Sequence, residues 1–330
     1  MKYQLSSAKR PAAPVAKKPF DFAAAQEALS ESLDRAQAAY QQLVAAEGRV
    51  AEVEGVLDNC KQALESINKF GLTAQGMDMM NGAEHNLDVA LGLENLAIES
   101  LTTMSAATKD ALKAQYVAGL EGKVAEMWKT MVERIKAFFA KILNWLKEVF
   151  TGSARLMKMV QETKFEGEFD AEKKVTTLKF ADAEALVKAM AAATENVKNM
   201  EKSATQLVGE GKSFEMPQFE KAEGTLKELG WDAGKASKLQ KDYLAVGTKK
   251  DMAAAWTAIQ AAYKKEVAAA GGEDPSALQK LKDAFENWKM ASRITGQYNA
   301  ALKQVGFALL TVAKAFKAAE PAPAAAAPAE

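Results

Sequence analysis

Residues 29–67 read LSESLDRAQAAYQQLVAAEGRVAEVEGVLDNCKQALESI. Leu29, Leu33, Ala36, Tyr40, Leu43, Glu47, Val50, Glu54, Leu57, Cys60, Leu64 and Ile67 step almost without exception by four and three. An α-helix turns once in 3.6 residues, so this spacing lays the positions along one stripe, the heptad seam of a helix that packs against another helix. Ten of the twelve positions are apolar. Glu47 and Glu54 are the exceptions, each followed by a glycine, Gly48 and Gly55. A glycine inside a helix costs about 1 kcal/mol against alanine, so a bend or break is expected there, in a weak or wet stretch of the seam.

Phe70-Gly71 suits a helix C-terminus. A second helix is expected from about Met79 to Ser105, with Leu87, Ala90, Leu91, Ala97, Ile98, Leu101 and Met104 on one face. The short connection predicts an antiparallel hairpin over 20–105. Residues 106–162 form an amphipathic helical segment, broken at Gly119 or Gly122. In its part 124–150, Trp128, Phe138, Phe139, Trp145 and Phe150 share a wide apolar side, and lysines lie mainly opposite. Such a helix either fills the core of a bundle or lies on a membrane surface. The core is favoured and a membrane partner is not expected.

The period then changes. Phe165, Gly167 and Phe169 alternate with acids, and Thr176, Leu178 and Phe180 alternate on the return, so 163–180 is expected to be a β-hairpin turning through Asp170–Lys174. Residues 181–318 return to helical patterning, with helices at about 181–208, 215–229, 232–246, 249–270 and 274–318. Pro275 sits in a favoured first-turn position with Asp274 as cap. Residues 1–19 carry five bases and no acid, with three prolines, and 319–330 is an Ala/Pro run; both are expected to be disordered tails. The fold class is therefore all-α: a long helical hairpin, an irregular helical bundle and one small β-hairpin.

Charge adds little. Forty-three bases balance forty-three acids, but residues 26–104 hold thirteen acids against four bases. With one cysteine, Cys60, and one histidine, His85, neither an internal disulfide nor a Cys/His zinc set can be built. A reducing compartment is the expectation. No apolar run approaches the ~20 residues of a membrane span, and no apolar stretch follows the N-terminal bases to make a secretory signal.

Catalytic chemistry is not signalled. Nucleophilic catalysis needs an activated side chain beside a base. His85 reads as a helix-surface residue and Cys60 as a core thiol. GEGKS at 209–213 lacks the first glycine of a phosphate-binding loop, and no strand precedes it. Carboxylates such as Glu94 and Glu99 read as solvated helix faces. The basic tail and Lys235, Lys238, Lys241, Lys249 and Lys250 are candidates for non-specific phosphate contact, without the interleaved aromatics that read bases. No catalytic residue, cofactor or metal site is expected, and the chain reads as a non-enzyme.

The stretch 63–101, ALESINKFGLTAQGMDMMNGAEHNLDVALGLENLAIESL, resembles internal head proteins of large tailed bacteriophages. The resemblance is carried by ALES at Ala63–Ser66, GLT at Gly71–Thr73 and AIES at Ala97–Ser100. The lysine-rich, Trp/Phe-containing helix VERIKAFFAKILNWLKEVF at 132–150 and the extended residues 165–180 are similar to that group too. The resemblance spans about residues 20–180 and implies a structural virion protein, made in the host cytoplasm and packed inside the head. Its implied partners are other virion proteins and, non-specifically, packaged DNA; ejection with the genome stays open. It also implies trimming by a maturation protease after small-x-Glu or Leu-x-Glu, which makes Glu27, Glu31 and Glu47 candidate processing sites. Two readings from other classes stand beside it. One is a membrane-surface protein using residues 124–150. The other is a cytoplasmic coiled-coil adaptor that self-associates through residues 29–67.

Overall fold

The computed structural model describes residues 20–70, 78–79, 81–83, 85–86, 106–200, 214–247, 250–270 and 275–317. Both tails, most of the expected second hairpin helix, GEGKS and Asp274 lie outside them. The chain is mostly α-helical, as its composition dictates, with six helices of ten or more residues among the described residues. Helix α1 runs Phe22–Phe70 and α2 runs Ala106–Glu162. Two short strands follow, β1 at Glu168–Phe169 and β2 at Lys174–Thr177. Next come α3 (Phe180–Asn199), strand β3 (Ala222–Thr225), α4 (Ala233–Gly247), α5 (Lys250–Ala270) and α6 (Pro275–Ala313). Strand β4 (Phe316–Lys317) closes the series.

Asp21 starts α1: its carboxylate accepts from the Ala24 amide at 3.0 Å, satisfying a donor that the first turn would otherwise leave bare. The helix then continues without interruption. The expected bend at Gly48 and Gly55 does not occur, and α2 passes through Gly119 and Gly122 in the same way. A side chain at any of these four would meet nothing within 4 Å. Each therefore costs only helix propensity, which long flanking packing outweighs.

Along its length α1 lies against α2. The two run antiparallel: Arg155 donates to the Ala28 carbonyl, Arg35 pairs with Glu148, Lys141 donates to Gln42, and Arg134 donates to the Arg49 carbonyl. The buried stripe of α1 is Leu29, Ser32, Ala36, Ala39, Leu43, Val50, Val53, Leu57, Cys60, Ala63 and Ile67. It keeps a step of three and four, but its phase corrects the expected seam. Ser32, Ala39 and Val53 face inward where Leu33, Tyr40 and Glu54 were expected. Small residues there let α1 approach the bulky side chains of α2, and Gly152 of α2 sits 3.5 Å, measured from its would-be Cβ, from Ser32. Ala83 is buried too, and the Cys60 thiol donates to its carbonyl at 3.8 Å, so the helical residues around 81–83 meet α1 near its end.

α2 is the middle layer. Phe138 meets Phe285 of α6 edge-on at 4.9 Å between ring centroids. Phe139 stacks on Tyr263 of α5 at 3.8 Å and meets Trp288 of α6 at 4.8 Å. α6 in turn packs on α3, α4 and α5. Buried polar tips find partners across these contacts: Trp256 Nε1 donates to Thr295 Oγ1 at 3.0 Å, and the Tyr243 hydroxyl donates to the Leu302 carbonyl at 3.1 Å.

The extended residues near 163–180 do not form the expected hairpin. β1 pairs antiparallel with β4, Phe169 opposite Phe316, and β2 pairs antiparallel with β3, Val175 opposite Gly224. Phe165, Phe169 and Phe316 cluster, which draws β1 away from β2. β3 also corrects the helix expected at 215–229. Pro217 denies a donor and disfavours helix at Met216. Thr225 and Glu228 make a reciprocal capping pair, Glu228 Oε2 accepting from the Thr225 amide at 2.7 Å and Thr225 Oγ1 from the Glu228 amide at 3.2 Å. The turn they open stops at once, because Gly230 adopts φ +80°, a conformation open to glycine and closed to helix.

Candidate functional site

The five side chains expected on an interaction face of α2 are spent inside. Phe138, Phe139 and Trp145 are buried, and Trp128 and Phe150 are half-buried against the same core. Lys282 of α6 reaches over the Trp128 ring at 5.5 Å. No helix among the described residues is long and apolar enough to cross a membrane.

The three candidate processing sites all fall within α1. Glu27 and Glu31 are exposed in its opening turns. Glu47 is half-buried and accepts from Arg293 at 2.9 Å, with Lys289 at 3.7 Å. One heptad on, Glu54 pairs with Lys282 at 2.9 Å. These two acids were expected on the seam. They flank it instead, on the side facing α6, and acids seven apart on α1 meet bases seven apart on α6 in antiparallel order. That is an electrostatic stitch between helices whose backbones stay apart.

Among the described residues no group of three or more His, Cys, Asp or Glu is arranged to hold a metal. Cys60 is fully buried, and burial pushes its thiol up to about 11, far from a reactive thiolate. His85 is exposed. Of the basic candidates on α4, Lys235 pairs with Asp232 at 3.4 Å and Lys238 reaches Glu184 at 4.0 Å. Burial also raises Tyr298, to about 12, and Tyr243, whose hydroxyls serve backbone carbonyls.

Two grooves flank α1. The first, about 550 Å³, lies between α1 and α2. Two of its cations are already used: Arg134 serves the Arg49 carbonyl and Glu52, and Lys141 serves Gln42. The second, about 490 Å³, lies where α1, α2 and α6 meet. Tyr40, 40% exposed, and Trp145 line it with ring centroids 6.0 Å apart. Gly296 leaves room beside the indole, 3.8 Å from its would-be Cβ. Lys303 also lines it, half-buried, and burial holds its ammonium below the usual lysine range.

No family model, curated protein or solved structure matches this chain.

Sequence reasoning did not single out Lys303 or the groove beside it. The signal was present in α6 as Gly296, Ala300 and Lys303, two small residues one turn apart followed by a cation. Tyr40 was assigned to the buried seam, which hid its place on the groove wall.

Proposed function

We propose that this chain is a non-enzymatic structural protein of a virion, internal to the head of a large tailed bacteriophage. The reading rests on the resemblance over residues 63–101. One observation supports it: Glu47, Glu54, Arg134 and Arg155 of the long helices each bond across to a neighbouring helix. That is the economy of a scaffold. Contact with packaged DNA, in this reading, is non-specific and runs through lysines. The buried aromatic side of α2 weighs against the membrane-surface alternative. The occupied seam of α1 weighs against self-association through residues 29–67.

Processing by a maturation protease fits Glu27 best of the three candidates. A protease engages extended chain, and helix ends fray at far lower cost than helix middles. Glu47 lies mid-helix with two cationic partners. Cleavage after Glu31 would discard the Ala28 carbonyl that Arg155 holds, whereas cleavage after Glu27 keeps it.

Mass spectrometry of purified particles of the phage that carries this sequence tests the proposal. The chain should be recovered from tail-free heads after complete capsid disassembly, with an N-terminal peptide beginning at Ala28. Its absence from washed heads would overturn the assignment. An intact N-terminus would overturn the processing alone.

A further inference from the structure

We propose that the groove between α1, α2 and α6 is a binding site for a small amphipathic carboxylate, an apolar body ending in one negative head, with Lys303 receiving the head and Tyr40, beside the covered edge of Trp145, receiving the body. The inference is independent of the proposed virion role.

Three observations carry it. The first is size and shape. At about 490 Å³ the groove falls in the ~300–1,000 Å³ range of small-molecule sites. Ala36, Gly296 and Ala300 line it and put little or no side chain into its volume. The second is chemistry. Tyr40 and Val149 give the lining apolar surface and Lys303, with Gln297 and Asn299, gives it a cation and amides, a mixture that suits an amphiphile better than a sugar or a metal ion. Asn299, next to Lys303 on the wall, is held in place by Ser153 (Oγ–Oδ1 2.7 Å).

The third is charge balance. The other cation on this wall, Arg293, already answers Glu47. Lys303 has no such answer: burial alone acts on its ammonium, with no charged neighbour contributing among the described residues. Removing an ammonium from water is unfavourable unless a countercharge compensates. In the α1–α2 groove Arg134 and Lys141 each have an internal acceptor. Here the acceptor would come from the ligand, and desolvation by the same ligand would strengthen the pairing.

The test uses the full chain and 8-anilinonaphthalene-1-sulfonate, an anionic aromatic probe whose fluorescence rises in apolar surroundings. Saturable binding to one site is expected, displaced by sodium decanoate and not by decanol at equal concentration. Lys303→Met, which keeps the stem and deletes the charge, should weaken probe binding at least tenfold. Lys303→Arg should retain it within threefold. Tyr40→Ala, at a position exposed enough to leave the fold intact, should weaken it at least fivefold. Absence of saturable binding to the wild-type chain would overturn the proposal. So would wild-type affinity in both Lys303→Met and Tyr40→Ala, or displacement by decanol as effective as by decanoate.

Discussion

Gly306 and Gly48 are both helical glycines, and replacing each by alanine should move stability in opposite directions. At Gly306 of α6, an added Cβ would lie 2.7 Å from Leu156 Cδ2, 2.9 Å from Leu156 Cγ and 2.7 Å from the Tyr243 hydroxyl oxygen. Leu156 and Tyr243 are fully buried, and the hydroxyl is tied to the Leu302 carbonyl, so neither can step aside cheaply. Overpacking of this kind costs about 1–3 kcal/mol. Losing the tyrosine hydrogen bond costs about 1 kcal/mol more, and alanine returns about 1 kcal/mol of helix propensity. The net for Gly306→Ala is a loss of about 1–3 kcal/mol. At Gly48 nothing lies within 4 Å, so only propensity acts and Gly48→Ala should gain about 1 kcal/mol. Urea unfolding followed by circular dichroism at 222 nm reads both against the wild type. A Gly306→Ala midpoint at or above wild type, with an unchanged slope, would refute the close approach of α6 to α2 and α4.

Asn287 is buried in α6, and among the described residues neither of its amide atoms has a partner, so Asn287→Leu should raise the urea midpoint by the equivalent of about 1–2 kcal/mol; a lowered midpoint would mean that the amide has a partner. Phe139→Ala removes a ring packed between Tyr263 and Trp288 and should cost about 3–5 kcal/mol. The wild-type chain should meanwhile stay at the bottom of a liposome flotation gradient, and flotation would show that the aromatic side of α2 can open outward. The Cys60 thiol should resist Ellman's reagent in the folded chain and react quickly in urea, and fast reaction in the native state would contradict its burial. Because folding raises its pKa from 9.0 to about 11, the folded state holds the proton more tightly, so stability is unaffected below pH 9 and falls as pH rises towards 11. Cys60→Ala should remove part of that fall, measured as the urea midpoint against pH.

The helices were legible because their apolar positions recur at three and four over dozens of residues, a signal that single exceptions do not erase. The phase of α1 was less legible. Leu33 and Tyr40 look more core-like than Ser32 and Ala39, but the partner helix supplies the bulk here, so the small residues face in. Glu47 and Glu54 looked like flaws in a seam because their partners, Lys282, Lys289 and Arg293, lie more than two hundred residues away. The strands were legible as a change of period at 165–180, yet pairing partners are non-local and no turn chemistry named them. At 215–229 the expected helix ran through Pro217, and the turn that Thr225 and Glu228 open is cut short by the left-handed Gly230. The groove escaped notice because three separate helices build it, each contributing residues that look ordinary alone.

The pairing of β1 with β4 joins segments separated by ~150 residues of chain, a long loop to close. During synthesis, residues 168–169 leave the ribosome well before the residues that complete them. Phe165 and Phe169 must wait, their aromatic faces uncovered, until Phe316 arrives to seal them. Emergence of residues 316–317 is thus the step that lets this aromatic cluster close and stop being a target for chaperones.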